Sequence, residues 1–188
     1  MTTYYIIYIV SCVVWFLPLL KQKRTEYIWL FILLALFDPV TILIYKLFHV
    51  QANYLSLISV VATIIILFPA RKRLMASGIS IVFLILIPVL SISRNTENKL
   101  ITLGFLIIIL LLVIRFINLL NTHGVNLFLS LLIFYFAINF FRALALSSLD
   151  EHREATFVIG YAFQILFGIL FTFINVDTKN YQLKRKYD

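Results

Sequence analysis

Charged and turn-forming residues divide this chain into seven long apolar runs, at residues 4–20, 27–48, 54–69, 74–92, 100–120, 126–146 and 155–175. Each run holds about 16–22 residues, enough to cross a hydrocarbon core of roughly 30 Å as a helix rising 1.5 Å per residue. The runs are continuous instead of alternating, and a barrel strand would need only about 10 residues. Backbone groups in lipid must bond internally, which leaves helices. The pattern predicts an all-α, polytopic membrane helix bundle of about seven transmembrane helices. The connecting segments, 21–26, 49–53, 71–73, 93–99, 121–125 and 147–154, are short, so sequence neighbours are expected to pack antiparallel. One bundle domain should therefore cover residues 1–178, with a short basic tail at 179–188. The third run is the shortest and ends at Pro69.

Composition agrees with this pattern. The chain is 63% hydrophobic with a mean hydropathy of +1.04, whereas soluble domains run at roughly 45–50% apolar. Its lipid partner is the bilayer. The net charge of +8 does not indicate nucleic acid, because the basic residues cluster at the ends of apolar runs. Examples are Lys21, Lys23 and Arg24, then Arg71, Lys72 and Arg73, then Lys184, Arg185 and Lys186. Counting Lys and Arg on the two sides gives eleven (21, 23, 24, 71–73, 115, 179, 184–186) against five (46, 94, 99, 142, 153). The richer side marks the cytoplasm, so the amino terminus is expected outside and the tail inside. A bacterial inner membrane is the expected location, or the endoplasmic reticulum membrane in a eukaryote. Tyr4, Tyr5, Tyr8, Tyr27 and Trp29 fall at run ends, where amphipathic rings suit the headgroup layer. The single cysteine, Cys12, excludes an intrachain disulfide.

Candidate chemistry rests on the polar residues inside the runs. Asp38 is the one carboxylate deep in a predicted helix, about 16 Å from Tyr27 and so near the midplane. An ionised Asp there costs roughly 2.5–3.5 kcal/mol, so it should face the bundle interior. Pro39 follows it, frees the carbonyl of Ala35, and is expected to break the helix locally. In the sixth run Tyr135, Asn139 and Arg142 share a face by their spacing of four and three. Asp38 and Arg142 are expected either to pair or to share a water-filled outer cavity, unless Arg142 snorkels instead to the outer headgroups. In the last run Gly160, Gln164, Gly168 and Thr172 recur at four-residue spacing. Gly160, Gly168 and Thr172 read as a helix-packing stripe, and Gln164 joins Asp38, Asn139 and Arg142 as a cavity residue for an ion or ligand. Arg115 reads as an interfacial group that snorkels to the headgroups. Two helical hairpins also echo each other: Pro18, a basic cluster and Pro39 are followed about 50 residues later by Pro69, a basic cluster and Pro88.

Several classes are excluded. No catalytic motif of the His-Glu-x-x-His or Gly-x-Ser-x-Gly type is present, so no enzyme activity is expected. His49, His123 and His152 lie at run ends, which argues against haem. The loop at 147–154 has no diagnostic metal-ligand spacing, and Ser148 with Glu151 fits a helix capping box, so neither metal nor cofactor is expected. The outline is similar to that of the rhodopsins, but the last run lacks the lysine a retinal Schiff base needs. It also resembles sugar transporters built from three-helix repeats, but lacks their Pro-Gln pair. Two functions stay open. One is a signalling, sensory or accessory subunit acting through a membrane or cytoplasmic protein partner. The other is a small-solute or ion-coupled transporter that uses Asp38.

Overall fold

The computed structural model describes residues 2–23, 25–50, 52–68, 94–123, 125–148 and 153–174. They form six helices and no β-strand: α1 (Thr2–Lys21), α2 (Ile28–Phe48), α3 (Ala52–Leu67), α4 (Arg94–His123), α5 (Leu127–Ser148) and α6 (Arg153–Phe173). Four carry stretches long and apolar enough to cross a membrane: Ile28–Phe48, Asn98–Asn121, Leu127–Ala145 and Ala155–Phe173. The apolar parts of α1 and α3 are shorter. Large apolar side chains such as Leu20, Leu47, Phe48, Phe141 and Phe173 are well exposed on the outer faces. An apolar exterior of this extent suits lipid and would be a liability in water.

The expected fourth helix at 74–92, the capping box at Ser148 and Glu151, and the tail at 179–188 lie outside the described residues. So does the second half of the proline echo. Elsewhere α4 differs from expectation, because it begins at Arg94 and absorbs the predicted loop at 93–99. That segment is polar but contains neither glycine nor proline, and polarity alone does not end a helix. At 30 residues α4 is about 45 Å long, the full bilayer thickness including headgroups. α2 also runs through Pro39 without interruption, so the expected local break is absent. One lost backbone bond is tolerable when neighbouring helices hold the rest in place. α2 stops at His49, whose left-handed backbone (φ 54°) lets its N–H bond Tyr45 O at 3.0 Å.

The helices close into a ring. Each packs on the next in sequence, and α6 packs back on α1. Short connections make α1–α2, α2–α3, α4–α5 and α5–α6 antiparallel. The other two seams are parallel. Along α1 and α6 the partner numbers rise together: Tyr8 stacks edge-on with Tyr161, Ser11 bonds Gln164, Val14 faces Gly168, and Trp15 approaches Phe171. Along α3 and α4, Val60 abuts Gly104, and Asn53 and Asn98 line one cavity. The ring is thus two triplets, α1–α3 and α4–α6, each running the same way round. Asp38 sits on the middle helix of one triplet and Arg142 on the middle helix of the other.

One half of the ring's interior is an aromatic layer. Trp15 (α1), Phe31 (α2), Phe128 and Tyr135 (α5), and Phe167 and Phe171 (α6) are all buried, with centroids 5.2–6.5 Å apart in tilted and edge-on pairs. These orientations align ring edges with faces, adding to the gain from burial. Tyr27 belongs to this layer as well. It is buried against Phe128 with the Arg115 guanidinium 5.0 Å above its ring, and so does not serve as a lipid-facing anchor. Arg115 pairs with Glu26 at 2.5 Å, so it is held by the α1–α2 connection and does not snorkel. Trp29, in contrast, is largely exposed.

Beyond the layer, Gln22 closes the end of α6. Its side chain is fully buried, and Nε2 donates to Phe171 O (3.2 Å) and Ile174 O (2.8 Å), two carbonyls that the helix itself leaves unpaired. Gln22→Leu should therefore lower stability by about 1–2 kcal/mol, since stranded buried carbonyls outweigh the relief of an already unpartnered Gln22 Oε1. Thermal unfolding in detergent reads this directly, and an unchanged melting temperature would refute it.

Candidate functional site

The other half of the ring's interior is polar and hollow. A partly open cavity of about 260 Å³ lies among α2, α3, α4, α5 and α6, directly beside the aromatic layer. It has room for about nine waters at roughly 30 Å³ each. Asp38, Asn139, Arg142 and Gln164 all line it. The helix positions explain why. Asp38 is the eleventh of 21 residues in α2, and Gln164 is the twelfth of 21 in α6, so both stand at mid-length. Asn139 and Arg142 lie one and two turns past Tyr135, toward the end of α5 where the cavity begins.

Arg142 occupies a built slot. Its guanidinium lies 5.3 Å from the Phe157 ring centroid and 5.2 Å from that of Tyr161, both on α6. Gly160 lies between those two residues. A Cβ at Gly160 would come within 2.7 Å of Arg142 Nε and 2.8 Å of Cζ, so glycine leaves room for the side chain where it lies and a larger residue would push it aside. Gly160 therefore faces the Arg142 side chain of α5. Gly168 faces α1, where an added Cβ would meet Val14 Cγ1 at 2.6 Å. Thr172 turns onto its own helix and donates to Gly168 O at 2.8 Å. The regular four-residue stripe on α6 thus serves two neighbouring helices, α5 and α1, and α6 itself.

Gln164 accepts a hydrogen bond from Ser11 Oγ at 2.9 Å, which ties α6 to α1. Asn139 Nδ2 donates to Tyr135 O at 2.9 Å, one turn back. Asp38 and Arg142 share the cavity without pairing. Among the described residues the one salt bridge is Arg115 with Glu26, so the Asp38 and Arg142 charges lie beyond 4.0 Å of each other. Among the described residues neither makes a hydrogen bond there. Two opposite charges, unpaired among the described residues, thus face one cavity.

Sequence reasoning missed the α3 and α4 walls. Asn53, Ser56, Ser59 and Thr63 line the cavity from α3, with Asn98 from α4 and Thr41 from α2. The signal was present: Asn53, Ser56, Ser59 and Thr63 are spaced three, three and four, which is one helical face. Their individual weakness as polar groups hid it. Thr63 Oγ1 spends its proton on Ser59 O at 2.8 Å, as hydroxyls in membrane helices commonly do. The arrangement can hold a small polar solute by hydrogen bonds and two charges. No protein-family model, curated protein or solved structure matches this chain.

Proposed function

We propose that this chain is a multi-pass membrane carrier that takes a small polar solute into the cavity between its two triplets. The observation that carries the reading is the division of the ring interior into a hollow half that holds the polar residues and a packed aromatic half, with Asp38 at mid-length and Arg142 further along the cavity. A solute path interrupted by a packed layer is what alternating access requires, and carriers built from like-oriented repeats bind at the repeat interface near the midplane. The parallel α3–α4 seam supports the seven-crossing plan: two helices running the same way need an odd number of crossings between them. The basic clusters then put the amino terminus outside and the tail in the cytoplasm. The cavity volume is below the roughly 300–1,000 Å³ of pockets for drug-sized ligands, which favours a small solute.

The alternative, a signalling or accessory subunit, would use the same cavity as a receptor pocket and never open it to the far side. Cysteine accessibility separates the two without knowledge of the solute. Ser59→Cys in a Cys12→Ala background places one thiol on the cavity wall. A membrane-impermeant methanethiosulfonate reagent should label it from both faces of sealed vesicles if the protein is a carrier. Labelling from one face alone would favour the receptor, and labelling from neither would remove the cavity reading altogether.

A further inference from the structure

The charges left unsatisfied in the cavity specify what fills it. Asp38 and Arg142 belong to different triplets, face the same 260 Å³ space, and are not within ion-pair distance of each other. Each would gain by pairing, yet each is held away from the other. Arg142 is retained on α6 by the Phe157 and Tyr161 rings and by the Gly160 notch. Asp38 stands on α2, beyond 4.0 Å from that guanidinium. A single positive ion would satisfy Asp38 and leave Arg142 bare. A single anion would do the reverse. A neutral polyol would satisfy neither charge.

We infer that the cavity binds a small zwitterion, with its ammonium at Asp38 and its carboxylate or phosphate at Arg142. This rests on the reading of the cavity as a solute site and names the class of solute. Asn139 and Gln164 line the same cavity and offer neutral hydrogen bonds beside the two charges. Gly160 is a positioning residue, since it sets where the guanidinium can lie. The same chemistry is carried by free amino acids and by the headgroup of phosphatidylethanolamine, so the source must be resolved by the test.

The full chain is placed in nanodiscs of phosphatidylglycerol alone, which contain no zwitterionic headgroup. Binding of glycine, β-alanine, γ-aminobutyrate and phosphoethanolamine is compared with that of ethylamine, propionate and glycerol. At least one zwitterion should bind about tenfold or more tighter than either single-charge probe, since a charge-assisted hydrogen bond is worth that much or more. Asp38→Asn should erase the advantage of the zwitterion over propionate, and Arg142→Gln its advantage over ethylamine. Gly160→Ala keeps every charge but displaces the guanidinium, so it should weaken the zwitterion and propionate while leaving ethylamine unchanged. Loss of solute binding when phosphatidylethanolamine is added would identify the headgroup as a competing occupant of the same class. A single-charge or neutral probe that binds as tightly as every zwitterion overturns the inference, as does failure of all zwitterions to bind. Labelling of Ser59→Cys is independent of these outcomes, so the zwitterion can fail while the cavity reading stands. If a variant does not fold, the wild-type probe ranking still decides.

Discussion

Asp38→Asn is expected to abolish tight solute binding while raising the melting temperature of the empty protein. The two halves of this expectation have one cause. In the empty cavity Asp38 is a carboxylate at mid-helix without an ion-pair partner among the described residues, an arrangement that costs roughly 2.5–3.5 kcal/mol when the group is ionised. Asparagine has nearly the same shape and removes the charge, so part of that cost disappears. A gain on the order of 1 kcal/mol would raise the midpoint by roughly 2–4 °C for a chain of this size. With solute bound the sign reverses, because the ammonium loses a charge-assisted partner worth about 1.5–3 kcal/mol. Solute-induced stabilisation should therefore vanish while baseline stability rises. A structural Asp38 makes the opposite prediction: the Asn variant would melt lower and be recovered in smaller yield. Melting curves of wild type and variant, each with and without solute, separate the two roles in one experiment.

How much of this was legible beforehand depended on the strength of each signal. Helix existence was easy, because runs of apolar residues near membrane length have few other uses. Helix ends were harder. α4 starts at Arg94, in a stretch that reads as loop, since charge marks the edge of the bilayer and not the end of a helix. The four cavity residues nominated from sequence were conspicuous because each is costly in lipid. Asn53, Ser56, Ser59 and Thr63 cost less individually, and only their common face gives them away. Two neighbour assignments were not readable at all. Nothing in the sequence says that Gly160 receives an arginine and Gly168 a helix, or that Tyr27 turns inward while Trp29 faces out. Ring order and seam direction decide those, and they arise from contacts between residues far apart in the chain.

The seam between α3 and α4 yields the second large effect. Gly104 is buried where an added Cβ would collide with Cγ1 of Val60, itself 3% exposed. Small residues at such crossings let membrane helices approach closely, and packing there replaces the hydrophobic drive that lipid removes. Gly104→Ala should cost about 1–3 kcal/mol by overpacking, and Gly104→Leu, with three further carbons and no space for the first, should prevent recovery of folded protein. Val60→Ala removes the obstructing methyls, so it should restore much of what Gly104→Ala loses. The coupling between the two changes should fall within the 0.5–3 kcal/mol typical of residues in contact. Thermal unfolding of the two single variants and the double variant gives that number. Its meaning extends past local packing. The contact of Val60 with Gly104, together with Asn53 and Asn98 at one cavity, is what sets α3 and α4 in the same direction. Strictly additive effects would remove that seam, and with it the two like-oriented triplets on which the carrier reading depends.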